Sequence, residues 1–103
     1  MNKYQHLFSP IKIGTVEVPN RIALLPMGVF SPRMMNNDGS STKDGADYYI
    51  ERAKGGTGLI ITGLVPVPKG AGLPSIVNDV KSYTENMKYL ADGVHKYGSK
   101  VFV

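Results

Sequence analysis

Apolar positions along the chain follow two patterns, one with helical spacing and one of short continuous runs. In segment 46–53, apolar residues stand at i, i+3, i+4 and i+7, and segment 87–94 repeats this template. Such spacing places the apolar side chains on one face of an α-helix. The pattern therefore predicts helices over about residues 42–54 and 83–97.

Residues at both ends of these segments support the two helices. Ser41 with Asp44, and Ser82 with Glu85, fit the Ser-x-x-acid capping box, in which the hydroxyl accepts a backbone N–H and the carboxylate reaches back. Each segment ends with a lysine followed within two residues by glycine. Glycine favours a helix stop because it tolerates the left-handed backbone conformation.

Three short apolar runs, 21–25, 57–62 and 100–103, are too brief for helices. Because they are apolar at successive positions, they predict strands buried on both faces, as in a parallel sheet. Ahead of them, segments 11–13 and 16–18 flank a Gly-Thr pair, which predicts a two-residue hairpin. The expected order is a hairpin followed by strand, helix, strand, helix and strand, an α/β fold.

The connections between these elements differ in length. Each helix returns to the next strand through one or two residues, whereas the strands lead to their helices through segments 26–41 and 63–82. The usual connection has roughly two to six residues. Long loops at the carboxyl ends of parallel strands are where α/β folds bind ligands, so the pattern predicts a ligand site there.

Segment 24–32 leaves one predicted strand and is a candidate for that site. Pro26 stops ladder pairing, Met27 is soft and apolar, and Gly28 allows the backbone to approach a flat ligand closely. Simple loop packing is the alternative interpretation. Segment 63–72 has no Gly-Lys-Ser/Thr triplet of a P-loop, and its pattern fits a site loop and a plain surface loop equally.

Composition excludes several other functions. The chain has 103 residues, a net charge of +4 and no cysteine. Its cationic residues are scattered, so no nucleic-acid-binding face is predicted. Without cysteine there is no disulfide, thiolate metal site or iron–sulfur cluster in this stretch. No run approaches the roughly 18 apolar residues of a membrane span, and a soluble cytoplasmic protein is expected.

Other chemical candidates have structural interpretations. Segment 55–58 (GGTG) closes a helix and enters a strand, the reverse of a dinucleotide fingerprint, so capping and close packing explain it better. Three carboxylates share one helix face and are interpreted as solvated. These are the carboxylates of Asp44, Asp47 and Glu51.

The aromatic and histidine residues also have structural interpretations. Tyr48 and Tyr49 are expected to pack against their neighbours. No metal site is predicted, because His6 and His95 have no partner at ligand spacing.

An ordered series of short motifs extends over the whole chain. The motifs are Leu7-Phe8-Ser9-Pro10, Ile11 with Ile13-Gly14, Asn20-Arg21-Ile22, Pro26-Met27, Tyr49-Ile50-Glu51-Arg52-Ala53 and Gly56-Thr57-Gly58-Leu59-Ile60-Ile61. With them the chain resembles the start of the old yellow enzyme family, or NADH:flavin oxidoreductases, and especially its 2,4-dienoyl-CoA reductase branch. The resemblance implies an FMN-binding TIM barrel in which hydride passes from NADH or NADPH through the flavin to an activated alkene.

The resemblance also implies roles for individual residues. Phe30 matches a substrate-side position where some members have tyrosine, and phenylalanine cannot donate a hydrogen bond. Gly28 replaces a side chain that tunes the flavin in some relatives. No catalytic residue is implied in this segment, and an iron–sulfur cluster or FAD would belong to downstream domains. The implied cofactor-binding residues are Leu25, Pro26, Met27, Gly28, Gly63 and Leu64.

Length limits what this chain does alone. A TIM barrel takes about 250 residues and eight strands, so residues 1–103 are expected to form a partial barrel domain, the N-terminal part of an enzyme. Activity is then expected of the parent protein, and the isolated chain is expected to hold FMN weakly or not at all. The alternative is a stand-alone, non-catalytic α/β module that binds a small ligand or partner chain, and self-associates, through open sheet edges.

Overall fold

The computed structural model describes residues 3–27, 31–63 and 80–103, which form a hairpin and a three-stranded sheet covered on one face by two helices. The prediction of an α/β fold in the order hairpin, strand, helix, strand, helix, strand is confirmed. The elements are β1 (Ile11–Ile13), β2 (Val16–Val18), β3 (Ala23–Leu24), α1 (Lys43–Lys54), β4 (Leu59–Ile61), α2 (Val80–His95) and β5 (Lys100–Phe102).

The N-terminal hairpin forms as the Gly-Thr pair predicts. Strands β1 and β2 are antiparallel, with Ile13 opposite Val16. Gly14 between them has φ +60°, a conformation that glycine adopts without the steric penalty of a side chain. The Arg21 amide donates to the Leu7 carbonyl at 2.9 Å, which ties the segment before the hairpin to the entrance of β3.

The sheet is parallel throughout, with β4 between β3 and β5. Its strands are shorter than the predicted apolar runs. The prediction that the strands are buried on both faces is correct only for β4, where Leu59 and Ile60 are buried. In β3, Ala23 is exposed. The reason is position, because β3 and β5 form the two edges of the sheet in the described part of the chain.

The core lies between the sheet and the helices. Leu24, Ile60 and Val101 are neighbours across the three strands, and all belong to or pack against one apolar cluster. The helices pack closely, since a Cβ on Gly93 of α2 would collide with the Ile50 side chain of α1. The buried members of the cluster are Ala46, Ala53, Ile60, Leu90 and Val94.

The start of α1 differs from the predicted capping box. Thr42 is the N-cap, and its Oγ1 accepts the Gly45 amide at 3.0 Å and donates to the Arg33 carbonyl at 2.5 Å. The Ser41–Asp44 box is therefore wrong, and the Asp44 carboxylate lies 3.4 Å from the Arg33 guanidinium instead. Both Ser41 and Thr42 carry a hydroxyl that can cap a helix, and only Ser41 has an acid three residues later. The bond from the Thr42 hydroxyl to the Arg33 carbonyl nevertheless favours Thr42 as the cap.

The second predicted capping box is also wrong. Helix α2 begins at Val80, before the predicted 83, so Ser82 lies inside the first turn and not at the N-cap. Glu85 lies 3.9 Å from Lys81 one turn earlier, as an exposed i,i+4 pair. The glycine stop is confirmed at the other end, where Gly98 has φ +81° and its amide donates to the His95 carbonyl at 2.9 Å.

Substitution of Thr42 by alanine tests the corrected helix start. We expect Thr42→Ala to lower the free energy of unfolding by about 1 kcal/mol, because the Gly45 amide loses its capping acceptor. Chemical denaturation of the variant measures this loss. Ser41→Ala is the matched control and should change stability by less than about 0.5 kcal/mol. A larger loss for Ser41→Ala than for Thr42→Ala would restore the original capping box.

Candidate functional site

The carboxyl ends of β3 and β4 lie side by side. Leu24 pairs with Ile60 in a parallel register, so both strands leave the sheet at the same edge. There the chain continues into Leu25, Pro26 and Met27 from β3 and into Gly63 from β4. We call these four residues the strand-end site. The other implied positions, Gly28, Phe30 and Leu64, lie outside the described residues.

Apolar side chains of the strand-end site are open to solvent. Leu25 is 67% exposed and Met27 is 50% exposed, and Pro26 between them is exposed as well. Adjacent exposed apolar groups of this kind are typical of binding surfaces. The site therefore offers a contact surface for an apolar or aromatic ligand.

The two strand ends touch through their backbones. A Cβ built on Gly63 would lie 2.5 Å from the Met27 carbonyl oxygen, closer than real Cβ atoms approach an oxygen. Only glycine fits this position without moving the Met27 peptide. Because Gly63 has no side chain, its backbone lies directly against the Met27 peptide, and a glycine at this point permits close approach of a ligand to the backbone. Together with the exposed apolar Leu25 and Met27, this contact is compatible with a flat aromatic group such as a flavin at this edge.

Tyr49 joins the helix layer to this site. It lies in the middle of α1, is half-buried and packs against the apolar core, and its hydroxyl accepts the Gly63 amide proton at 3.1 Å. Tyr48 packs edge-on against it, with ring centroids 5.4 Å apart. The prediction that both tyrosines pack is confirmed. The contact with Gly63 was missed, because no local sequence pattern relates a helix position to a strand end 14 residues later.

Thr62 marks the end of the sheet ladder. Its amide donates to the Phe102 carbonyl of β5 at 2.9 Å. Its side-chain oxygen is buried and has no hydrogen-bond partner in the described ranges 3–27, 31–63 and 80–103. Gly63 is thus the first residue of this segment whose amide bonds to a side chain and not to a neighbouring strand.

The glycine-rich segment between α1 and β4 has a structural role. A Cβ on Gly58 would collide with the Asn20 side chain. Asn20 donates from Nδ2 to the Gly56 carbonyl at 2.7 Å and accepts the Ile22 amide at 3.0 Å. Gly56 itself has φ +106°. The interpretation of this segment as a helix stop with close packing is confirmed.

The predicted carboxylate face lies on the helices and not at the strand ends. Asp47 accepts from the Tyr89 hydroxyl at 2.7 Å and from the Lys43 ammonium at 3.0 Å. The Tyr89 hydrogen bond and then the Lys43 hydrogen bond lower the pKa of Asp47, and the bond to Asp47 raises the pKa of Tyr89. Asp44 and Glu51 are exposed, so the interpretation of a solvated face is confirmed.

Within residues 3–27, 31–63 and 80–103, no group of three His, Asp or Glu side chains could hold a metal ion. In the same part of the chain, no helix is long and apolar enough to cross a membrane.

Comparison with known sequences identifies similar proteins over nearly the whole chain. The model of the NADH:flavin oxidoreductase / NADH oxidase family matches residues 6–103. The chain is 42% identical to a cinnamate reductase of Clostridium sporogenes over 99% of its own length and 16% of that protein. It is 38% identical to an NADH oxidase of Thermoanaerobacter brockii over 100% of its own length and 16% of that protein. The chain thus spans about a sixth of these curated relatives.

Solved structures give the same relationship. An old yellow enzyme from a Pichia species superposes with a TM-score of 0.70 at 30% identity, over 93% of this chain and 25% of that one. A 2-naphthoyl-CoA reductase in complex with 2-naphthoyl-CoA gives a TM-score of 0.69 at 25% identity, over 95% and 15% of the respective chains. The architecture described above therefore corresponds to part of a TIM barrel, as the resemblance to the old yellow enzyme family implied.

Proposed function

Because the chain belongs to the NADH:flavin oxidoreductase / NADH oxidase family, we propose that its strand-end site forms part of the FMN site of a flavin-dependent reductase. The observation that carries the proposal is the contact of Gly63 with the Met27 carbonyl, where the absence of a side chain on Gly63 lets the two strand ends meet backbone to backbone. Bound FMN would supply the hydride chemistry, between NADH or NADPH and an activated alkene.

The residues of this chain would bind and orient the ring. The exposed Leu25 and Met27 side chains would exclude water from it, and the backbone at Pro26 and Gly63 would set how closely it approaches the sheet. We propose backbone contacts at Gly28 and Leu64 by sequence position. Phe30 would lie on the substrate side, where its ring offers an apolar contact and no proton.

The substrate class follows from the names of two similar proteins. Cinnamate is an unsaturated carboxylate, and 2-naphthoyl-CoA is an aromatic thioester, so both compounds carry a carbonyl group conjugated with carbon–carbon unsaturation. We propose an alkene conjugated to a carboxyl, ketone or thioester group as the substrate. Conjugation matters because the carbonyl stabilises the negative charge that develops as hydride adds. The proton donor and the phosphate-binding loops would come from chain beyond residue 103.

The test uses the full-length protein that contains this segment. We expect the purified protein to be yellow, to release FMN on denaturation, and to lose its flavin absorbance on anaerobic addition of NADH or NADPH. Cinnamate, a conjugated enone or a dienoyl thioester should then restore the absorbance. The 103-residue chain is the control, and we expect it to bind FMN weakly or not at all because its described residues supply three of a barrel's eight strands.

Three results would contradict the proposal in whole or in part. A full-length protein that remains colourless and shows no saturable change in FMN fluorescence would rule out the flavin site. A colourless, monodisperse 103-residue protein with a cooperative melting transition would favour the independent, non-catalytic module. Reduction of FMN without reoxidation by any conjugated alkene would retain the flavin site and overturn the substrate class.

A further inference from the structure

The Gly63 amide is diverted from the sheet to a helix side chain. Amides two residues apart along a strand point to the same side. In β4, the Leu59 amide donates to the Ile22 carbonyl at 3.1 Å, on the β3 side, and the Gly63 amide therefore belongs to the same row. It donates to the Tyr49 hydroxyl instead, at 3.1 Å. Tyr49 thus replaces a strand carbonyl at the point where β4 leaves the sheet.

This hydrogen bond sits at the contact between the two strand ends. A Cβ on Gly63 would lie 2.5 Å from the Met27 carbonyl oxygen and 3.8 Å from the Tyr49 hydroxyl, so Gly63 is held between the two groups. The Tyr49 ring is itself anchored, because it packs on the buried core and against Tyr48. A helix position anchored in the core therefore determines where the backbone at Gly63 is placed.

We propose that Tyr49 is a positioning residue for FMN, whose hydroxyl fixes the Gly63 backbone against Met27; this rests on the flavin site proposed above. The hydroxyl also accepts the hydrogen bond of the Gly63 amide, so this amide does not donate to the ligand or to water. Loss of the hydroxyl would leave the ring packing intact, free the amide and loosen the junction that the flavin contacts.

The test compares Tyr49→Phe with Tyr48→Phe in the full-length protein. Both variants lose one hydroxyl and keep the ring, and they differ by one helix position. For Tyr49→Phe we expect a three- to tenfold higher dissociation constant for FMN, about the value of one net hydrogen bond. We also expect shifted visible absorbance bands of the bound flavin, which lost helix packing alone would not produce. Tyr48→Phe should match the wild type in both measurements.

Amide hydrogen exchange in the apoprotein gives a measurement that needs no flavin. The Gly63 amide should exchange slowly in the wild type and in Tyr48→Phe, and at least tenfold faster in Tyr49→Phe. Fast exchange in the wild type would show that the hydrogen bond is absent and would overturn the proposal, whatever the variants do.

The remaining outcomes separate this proposal from the proposed function. If the wild type binds FMN and both variants bind it equally well with unchanged bands, Tyr49 does not position the flavin while the flavin site stands. If both variants weaken binding equally, the effect belongs to the aromatic surface and the proposal fails. If the wild type binds no FMN, the proposed function fails, and the role of Tyr49 toward flavin fails with it.

Discussion

Replacement of Gly45 by alanine is expected to lower the free energy of unfolding by about 1–3 kcal/mol, although alanine is intrinsically the better helix former by about 1 kcal/mol. A Cβ at this position in α1 would lie 2.9 Å from the Met34 carbonyl carbon and closer still to its oxygen. That carbonyl cannot move freely, because it accepts the Thr42 amide at 3.2 Å. Thermal or chemical denaturation measures the loss.

Gly55→Ala is the matched control for this substitution. Gly55 has φ −75°, and the nearest atom to a Cβ there is the Arg52 carbonyl oxygen at 3.5 Å, an ordinary contact. We expect Gly55→Ala to leave stability unchanged or to raise it by up to about 1 kcal/mol, through lower entropy of the unfolded chain. A Gly45→Ala protein as stable as the wild type would show that the loop at Met34 does not pack on α1 as described.

The local elements of this fold were predictable because their signals are local. The Gly-Thr pair determines the two-residue turn of the hairpin, since its first position needs a positive φ, as Gly14 has. The helices follow from apolar residues at i, i+3, i+4 and i+7, and the parallel sheet follows from short runs such as that around Ile60. The strands were overestimated in length, because an apolar run continues past the last ladder bond, and α2 ends at His95, two residues before the predicted end.

The errors have a common physical origin in contacts between distant segments. Ser41 and Thr42 carry equivalent capping groups, and the choice between them depends on the Arg33 carbonyl nine residues before Thr42. The need for glycine at position 45 also comes from a distant segment. By sequence alone, Gly45 is only a weak helix former inside α1, but the Met34 carbonyl leaves no room for a Cβ at this position. Such steric requirements leave no periodic pattern in the sequence.

That the candidate residues meet at one edge of the sheet was predictable, whereas the contacts between them were not. Long loops after strands indicate which edge of a parallel sheet binds ligands, and Leu25, Pro26, Met27 and Gly63 do lie together at that edge. The contact of Gly63 with the Met27 carbonyl, and the hydroxyl of Tyr49 on the Gly63 amide, depend on how α1 packs on the sheet. A pair of residues 14 positions apart on different elements becomes visible only in three dimensions.

Gly63→Ala is expected to have the largest effect on the strand-end site. The new Cβ would lie 2.5 Å from the Met27 carbonyl oxygen, so the two strand ends must separate. We expect the dissociation constant of FMN to rise by more than about tenfold and the free energy of unfolding to fall by about 1–3 kcal/mol. FMN fluorescence titration and chemical denaturation of the full-length protein measure the two effects, with Gly55→Ala again as the control.

Combination with Tyr49→Phe shows whether the two effects share one structural cause. Separation of the strand ends by the alanine methyl group would already stretch the hydrogen bond from the Gly63 amide to Tyr49. The double variant should therefore lose less FMN affinity than the sum of the two single losses, in free-energy terms, because the second change removes an interaction that the first has weakened. If the two losses of FMN affinity add fully, Tyr49 and the Met27 contact act on the flavin independently. That result would contradict the proposal that both contacts fix the same Gly63 backbone.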